Sequence, residues 1–462
     1  QEIAPLHARR WGAQPLSRRL AQNSAFLRNA EREITRAITQ DRQLTPAAQW
    51  LADNYALVDM QIRETALDLP PGYYARLPKL ANGPFAGLPR IFAVAWAYVA
   101  HTDSNLQPDI LRGYLLAYQE VEPLTIGELW AVPITLRIVL IENLRRVVGA
   151  IMHNNTHRRA ADLLCEQLAA ARKSGHPAQS VLLAAVDPAL LTPAFAAQMA
   201  HGLRGLDPEK DPALVWLEQR LSDRGSTIDA AVRDDLHEQG AFNATIRNVI
   251  TSLRLIAGFD WTEAFERICL VDRVFAEYDS FTQADFASRD LYRKAIEEIA
   301  RGCAHTETGI AQAAVSMART ARQAHPDDPR RADPGYYLLM DGRRGLEQAL
   351  GFRPTPLMRV VRGGCRWGIV GYSVAVTLLT LVFLVIPFWL SSSAGVSVFW
   401  AVVVAFLAFV PTTDAAVACI NRLALQAIRV TALPGLELRD GIAQHLRTMV
   451  VMPVMLVTEE TV

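Results

Sequence analysis

The residues best spaced for metal chemistry are His153 and His157, which stand four apart in a stretch predicted to be helical. That spacing puts two imidazoles on one helix face, but a zinc site needs at least a third protein ligand. Cys165 follows roughly 12 Å further along such a helix, too far to complete the set. Because Arg158 and Arg159 are adjacent, a solvated polar stretch is the preferred interpretation.

Glu128 is a carboxylate that could act as a general acid or base. It lies three residues after Thr125, in the pattern of a capping box at the start of a helix, so a structural role is preferred. The sequence has no G-x-S-x-G, P-loop or H-E-x-x-H motif, and no D-x-D pair of the kind that sugar-nucleotide transferases use. We therefore assign no catalytic, cofactor-binding or metal-ligating residue in this chain.

Charged residues interrupt the apolar helix predicted after Glu128. Glu142 has the helical spacing to pair with Arg145 or Arg146. Arg137 lies inside an apolar run and needs an acceptor, either a neighbouring carboxylate or a partner domain, because an unpaired buried charge is costly. Structural ion pairs are the preferred interpretation.

Two aromatic pairs, Tyr73-Tyr74 and Tyr336-Tyr337, each follow a Pro-Gly step. Tyrosine rings in such positions could stack on sugars. Packing at a loop is the preferred interpretation of both pairs.

The elements that carry these residues are predicted to be helices throughout 20–350. Thr45-Pro46 and Thr192-Pro193 are N-cap signals, and Asp260 with Glu263 marks a further helix start. The helix after Thr125 is apolar nearly all round and should be central to the core, with a kink at Pro133. Alternating apolar patterns are scarce, so we predict an all-α domain of packed antiparallel helices.

Two long apolar segments follow, Trp367–Leu390 and Val396–Ile420, joined by Ser391–Gly395. About 20 apolar residues cross a hydrocarbon layer of about 30 Å, so the first segment predicts a membrane-spanning helix. The second contains Asp414, whose insertion into the membrane as part of a helix costs about 2.5–3.5 kcal/mol, whereas each large apolar residue favours insertion by about 0.3–0.6 kcal/mol. It is marginal alone and plausible as the second leg of a hairpin.

An Asp in a membrane helix can be functional, but Asp414 is more simply read as lying in an interfacial turn or pairing with a nearby Arg. The flanks set the orientation: the first leg is preceded by four arginines, the second is followed by two, and the loop has no charge. The positive-inside rule then places both ends in the cytoplasm. The arginines are Arg353, Arg359, Arg362 and Arg366, then Arg422 and Arg429.

Composition limits the remaining classes. The formal net charge is +0, which gives no indication of nucleic-acid binding. The five cysteines are scattered without ligand-like spacing, as is typical of a reducing compartment. Residues 1–19 lack the apolar core of a secretory signal, and without an initiator Met the sequence is expected to begin inside a longer one.

Several stretches together resemble the N-terminal part of bacterial cyclic β-1,2-glucan synthases, large inner-membrane enzymes of glycosyltransferase family 84. The resemblance runs from about residue 25 to the end. The stretches are Leu69–Tyr74 with Leu77–Leu80, Val99–Asp103, Glu122–Trp130, Leu136–Arg137 with Glu142–Arg146, Phe286–Asp290, and Gly335–Tyr337 with Asp341–Arg343.

The resemblance implies an enzyme that uses UDP-glucose and a divalent metal (Mg or Mn) to build a β-1,2-glucan. In that family the transferase domain follows the first membrane pair, and Thr448–Pro453 resembles its first strand. The family's metal-binding and catalytic carboxylates would lie beyond Val462, so this chain alone is expected to be inactive.

The predicted organisation is a helical cytoplasmic domain (1–350), a basic juxtamembrane segment (351–366), a transmembrane hairpin (367–420), a linker (421–447) and the start of a truncated GT-A-like domain (448–462). The expected partners are the lipid bilayer, the downstream transferase domain and a glucan chain, with no nucleic acid. The alternative is a non-enzymatic, membrane-anchored helical scaffold that binds partner proteins or glucan.

Overall fold

The computed structural model describes residues 3–4, 15–40, 44–69, 71–174, 182, 191–205, 211–356, 358–359, 362–363, 368–427, 435–438, 441, 444 and 447–449. Within these ranges the chain is almost wholly helical, which confirms the mainly α prediction. It divides into two compact units, Gln1–Cys269 and Leu270–Val462, which are described separately. The sequence had indicated no boundary inside 1–350.

The first unit contains ten of the described α-helices and a two-stranded antiparallel sheet, β1 (Ile3–Ala4) with β2 (Lys79–Leu80). The helices are α1 (Leu16–Thr39), α2 (Pro46–Leu67), α3 (Pro71–Tyr74), α4 (Arg90–His101), α5 (Pro108–Val121), α6 (Ile126–Lys173), α7 (Pro193–Gly202), α8 (Pro212–Ser222), α9 (Ile228–Gly258) and α10 (Trp261–Ile268).

Helix α6 is the central element of the first unit, as its sequence predicts. Its 48 residues continue through Pro133 and contact α1, α2, α4, α7, α9 and α10. At about 1.5 Å per residue it is about 72 Å long. Its C-terminal half packs with α7, α8 and α9 around Leu168, Phe195 and Leu217, which are almost completely buried.

Local capping explains where several of these helices begin. The Thr45 hydroxyl accepts from the Ala48 amide, and the Thr192 hydroxyl accepts from the Phe195 amide. Asp260 caps α10 in the same way. Each cap satisfies a backbone donor that the first helical turn leaves unpaired, and all three helix starts were predicted from these residues.

The second unit begins with a helical part, α11 (Leu270–Phe275) to α16. The other helices are α12 (Asp279–Thr282), α13 (Phe286–Ala300), α14 (Glu307–Ala324), α15 (Pro334–Leu339) and α16 (Arg343–Ala349), with a 3₁₀ turn at Pro329–Ala332. Phe275, Phe281 and Tyr292 form an aromatic cluster with ring centroids 5.3–5.7 Å apart. Beside it, Arg293 donates to both carboxylate oxygens of Asp272, at 3.0 and 2.6 Å.

A helical hairpin completes the second unit: α17 (Gly368–Ser393) packs against α18 (Val398–Ala427). Both are long and apolar enough to cross a membrane, and most of their surface is exposed, unlike that of core helices. The turn closes with Gly395 at a φ of 73° and a hydrogen bond of 3.2 Å from the Val396 amide to the Ser391 carbonyl. This is a Schellman motif, in which glycine adopts the left-handed conformation at no steric cost.

The predicted transferase strand, Thr448–Pro453, is described only at Thr448 and Met449. The strand therefore stays a prediction, as do the proposed domain boundaries. Arg366, Trp367 and Arg429 also lie outside the described residues.

Candidate functional site at the ends of the membrane hairpin

The helical part of the second unit holds the chain both before and after the hairpin. The described residues of the approach segment (352–363) contact α16 and the loop after α13, while the return segment (435–438) contacts the start of α13 and the residues just before it. We call these two sets of contacts the hairpin clamp.

The approach segment is first held at Gly302, just after α13. The Arg353 amide donates to the Gly302 carbonyl at 2.8 Å, and the Phe352 ring lies over the Gly302 Cα. A Cβ at this position would overlap that ring. The close approach therefore requires glycine at position 302.

Arg362 then binds Glu347 of α16 through two parallel hydrogen bonds. Its two terminal nitrogens lie 2.7 and 2.8 Å from the carboxylate oxygens, and its guanidinium lies 5.7 Å from the centre of the Phe352 ring. Arg343 donates to the same carboxylate at 3.0 Å. Burial raises the pKa of Glu347, but the hydrogen bonds from Arg362 and Arg343 outweigh it and hold the pKa below its usual value.

The return segment is held mainly through its backbone. The Asp285 amide donates to the Gly435 carbonyl at 2.9 Å, and the Glu437 amide donates to the Gln283 carbonyl at 2.8 Å. These bonds form an antiparallel bridge between Ala284 and Leu436. Because a bridge of this kind fixes the position of the chain along its partner, the return segment leaves the hairpin in a defined register.

Side chains at the first turn of α13 complete the clamp. The Ser288 hydroxyl accepts from the Gly435 amide at 2.7 Å, and Arg289 donates to Glu437 at 2.7 Å. Asp285 caps α13 by accepting from the Ser288 amide at 2.8 Å. Hydrogen bonds from the Ser288 side chain and backbone lower the pKa of Asp285 despite its partial desolvation.

The hydrogen bonds of the clamp position the chain at both ends of the hairpin. In the part of the chain that the structure describes, no three His, Cys, Asp or Glu side chains lie close enough together to hold a metal ion. The described residues therefore offer no such ligand set for the divalent metal that the resemblance implies.

The two histidines considered as metal ligands, His153 and His157, have different environments. The rings of His153 and His157 lie side by side, with centroids 4.2 Å apart, but only His153 is exposed. His157 is buried, and its Nδ1 lies 2.7 Å from the Thr192 hydroxyl. The solvated interpretation is thus wrong for His157, because α7 covers that face of α6. Burial, and secondarily His153, lower the pKa of His157.

Glu128 forms the predicted capping box with Thr125 and has a second partner that the sequence did not indicate. Arg90 donates to its Oε1 at 2.9 Å and also contacts Oε2, and both side chains are buried. Burial opposes the charged form of Arg90, but its hydrogen bonds to the Glu128 carboxylate and the charge of that group outweigh burial and raise the pKa of Arg90.

The predicted pairing of Glu142 was wrong. Its partner is Arg19 of α1, whereas Arg145 lies over the Phe26 ring and Arg146 donates to Asn143. Packing of α1 against α6 offers Glu142 a closer cation than its own helix does. Arg137 has the predicted neighbouring carboxylates, Asp68 at 3.4 Å and Glu64 at 3.9 Å, both from the end of α2.

The tyrosine pairs pack as expected. Tyr73 donates to the Gly127 carbonyl, and Lys79 lies over the Tyr74 ring. Burial raises the pKa of Tyr74 well above its usual value. Tyr336 and Tyr337 meet edge to face with centroids 5.2 Å apart.

One interpretation of the sequence placed Asp414 in an interfacial turn, but the residue lies within a helix. Helix α18 continues through Pro411 and Asp414, and the Asp414 side chain is exposed. Among the described residues it has no arginine partner. Just after Pro411, the hydroxyls of Thr412 and Thr413 donate to the Ala408 and Phe409 carbonyls at 2.7 Å.

The sequence indicates no clamp role for these residues, although Ser288, Arg289 and Arg343 lie in stretches that carry the family resemblance. Arg362 was noted only as a topological charge, and Glu437 only as part of a linker. The four-residue spacing of Arg343 and Glu347 was a usable signal for one ion pair. The pairing of Arg289 with Glu437 had no local signal, because 148 residues separate them.

Comparison with known proteins gives a match over most of this chain. The chain is 31% identical over 450 residues to the cyclic beta-(1,2)-glucan synthase NdvB of Rhizobium meliloti (strain 1021). The resemblance to cyclic β-1,2-glucan synthases is confirmed. The match takes in 94% of this chain and 16% of the synthase, so the chain spans about a sixth of the length of the curated relative it matches. No protein-family model matches the sequence.

Proposed function

We propose that this chain is the N-terminal helical and membrane-anchoring portion of a cyclic β-1,2-glucan synthase. The full-length enzyme would transfer glucose from UDP-glucose to a growing β-1,2-glucan. The observation that carries the proposal is the similarity to the synthase NdvB across 94% of the chain. The membrane anchor is supported by the two long apolar helices within that span.

The role of this portion would be to anchor and brace the transferase domain. The hairpin clamp supports this role, because one helical body holds the chain on both sides of the membrane hairpin. A domain that follows the return segment would then begin at a defined position relative to α13.

The proposed location is the bacterial inner membrane, with both ends of the hairpin in the cytoplasm. Arg353, Arg359 and Arg362 before α17, and Arg422 in the last turns of α18, support this orientation, since the connecting turn has no charge. UDP-glucose and a divalent metal would be bound by the downstream transferase domain rather than by this chain.

The test compares two proteins in membranes: this chain alone, and this chain extended by its native downstream coding sequence. Incorporation of radiolabelled glucose from UDP-glucose into β-1,2-glucan is measured in both. We expect incorporation only with the extended protein. Transfer by this chain alone would refute the proposal, and so would a downstream sequence without a transferase. A stop codon directly after Val462 would favour the alternative of a non-enzymatic scaffold.

A further inference from the structure

A polar cleft of about 740 Å³ opens on the first unit, and none of its lining residues is used in the proposed anchoring role. Clefts of about 300–1,000 Å³ are the usual size of small-molecule sites. Helix α1, the start of α2, and helices α6, α7 and α9 all contribute to it. These elements belong to one compact unit, so the cleft is formed without any other part of the chain.

The lining divides by chemistry. Helix α1 and the residues that lead into α2 supply four apolar side chains, Ile34, Ala37, Leu44 and Pro46, together with the polar Glu33 and Thr45. Helices α6, α7 and α9 supply mostly planar polar side chains, which are His153, Asn155, Arg158, Arg159, Asp162, Gln198 and Gln239. Sugars match such a lining, because a sugar ring has apolar C–H faces and a rim of hydroxyls that both donate and accept hydrogen bonds.

Several of the polar side chains are held in place by neighbours. Asp235, which is buried, accepts from Arg158 at 2.6 Å and from Gln239 at 2.7 Å. Asp162 accepts from Gln198 at 2.7 Å. Among the described residues, the amide oxygens of Gln198 and Gln239 accept no hydrogen bond. Two oriented acceptors therefore remain for a ligand, at little further cost in side-chain entropy.

The charge of the lining discriminates between ligands. The lining contains two carboxylates, Glu33 and Asp162, and two guanidinium groups, Arg158 and Arg159, and Arg158 is already paired with the carboxylate of Asp235, so the site has no excess of positive formal charge. A sugar nucleotide carries at least two negative charges and would need a net positive site. A neutral ligand is favoured.

We propose that this cleft binds a short neutral oligosaccharide. The choice of a β-1,2-linked gluco-oligosaccharide rests on the proposed function, since that is the polymer the full-length enzyme would make. The cleft would then hold a stretch of glucan on the cytoplasmic side.

The test is calorimetric titration of the full chain in nanodiscs, which avoids detergents with sugar head groups. The probes are a linear β-1,2-linked glucotetraose, maltotetraose and UDP-glucose. We expect the β-1,2-linked glucotetraose to bind, and the double variant Gln198→Ala/Gln239→Ala to weaken its binding at least tenfold. The matched control is Gln312→Ala/Gln323→Ala, which removes two amides from a different groove, on α14, and should leave binding unchanged.

Thermal unfolding of both double variants shows whether each is folded. Absence of saccharide binding, or equal binding by a folded Gln198→Ala/Gln239→Ala variant, would overturn the proposal. Tighter binding of UDP-glucose would overturn the neutral-ligand argument, and equal affinity for maltotetraose would overturn the β-1,2 linkage. Failure of the cleft is distinguishable from failure of the proposed function, because glucose transfer by the extended protein does not require saccharide binding by this chain alone.

Discussion

Replacing Glu347 by glutamine should loosen the approach segment from the helical body. Arg362 loses a bidentate carboxylate partner, with bonds now at 2.7 and 2.8 Å, and retains at most one amide oxygen. The substitution keeps the shape of the side chain, so the change is one of charge and hydrogen bonding rather than packing.

The size of the expected loss in free energy follows from how exposed the Glu347–Arg362 ion pair is. Exposed ion pairs contribute about 0–1 kcal/mol, while breaking a fully buried pair costs about 3–5 kcal/mol. The Glu347 side chain is 9% exposed and that of Arg362 is 39% exposed, which places this pair between the two cases. We expect the free energy that holds the approach segment against the helical body to fall by about 1–2 kcal/mol. This corresponds to a rise of about 5- to 30-fold in the equilibrium constant for release of the segment.

The assay is limited trypsin digestion of the chain in nanodiscs, followed by mass spectrometry of the fragments. Trypsin cuts after Arg362 only when that side chain is released from Glu347. Where opening and closing are fast relative to cleavage, the cleavage rate follows the population of the open state. Cleavage after the exposed Arg330, in the 3₁₀ turn at Pro329–Ala332 and outside the approach segment, serves as the internal reference. We expect the ratio of the two rates to rise about 5- to 30-fold.

Glu298→Gln is the matched control for this experiment. Glu298 also pairs with Arg343, at 2.9 Å, but does not contact Arg362. If both variants give the same cleavage ratio, Glu347 does not hold the approach segment and the clamp argument fails on that side.

Three further predictions test other contacts. Glu128→Ala leaves Arg90 buried without its main partner, so the free energy of unfolding measured in urea titrations should fall by about 3–5 kcal/mol. The control Arg63→Ala, which removes one member of an exposed ion pair, should lower it by less than about 1 kcal/mol. The pKa of His157 in the folded chain lies below its unfolded value of about 6.5, so the unfolded chain binds the proton first and the free energy of unfolding should fall as the pH drops below about 6.5. His157→Gln should therefore flatten the dependence of the melting temperature on pH between 7.5 and 5.5. An unchanged slope would contradict this. Ser288→Ala removes the acceptor of the Gly435 amide, so hydrogen exchange at Gly435 should accelerate, while an unchanged rate would show that the backbone bridge alone protects it.

What could be predicted from the sequence was mainly local. The N-caps at Thr45, Thr125 and Thr192 act within one helical turn, so each helix start could be recognised from a few residues. The apolar run of α17 is similarly self-contained, since its length alone meets the requirement of a bilayer.

Contacts between distant segments could not be predicted in this way. Glu142 has two arginines at helical spacing, yet its partner Arg19 lies 123 residues earlier, because helix packing determines which cation is nearest. The clamp poses the same difficulty, since Arg289 and Glu437 lie on either side of the whole hairpin. The polar cleft likewise draws on five separate helices.

Holding both ends of the hairpin on one body changes how the protein would respond to bilayer thickness. Helix α17 has 26 residues and is about 39 Å long, which exceeds a hydrocarbon layer of about 30 Å. Such a hydrophobic mismatch is normally accommodated by helix tilt or local bilayer deformation. Because the clamp holds residues near both open ends of the hairpin, tilt would displace chiefly the turn at Gly395. A downstream domain would then keep its height above the membrane in bilayers of different thickness.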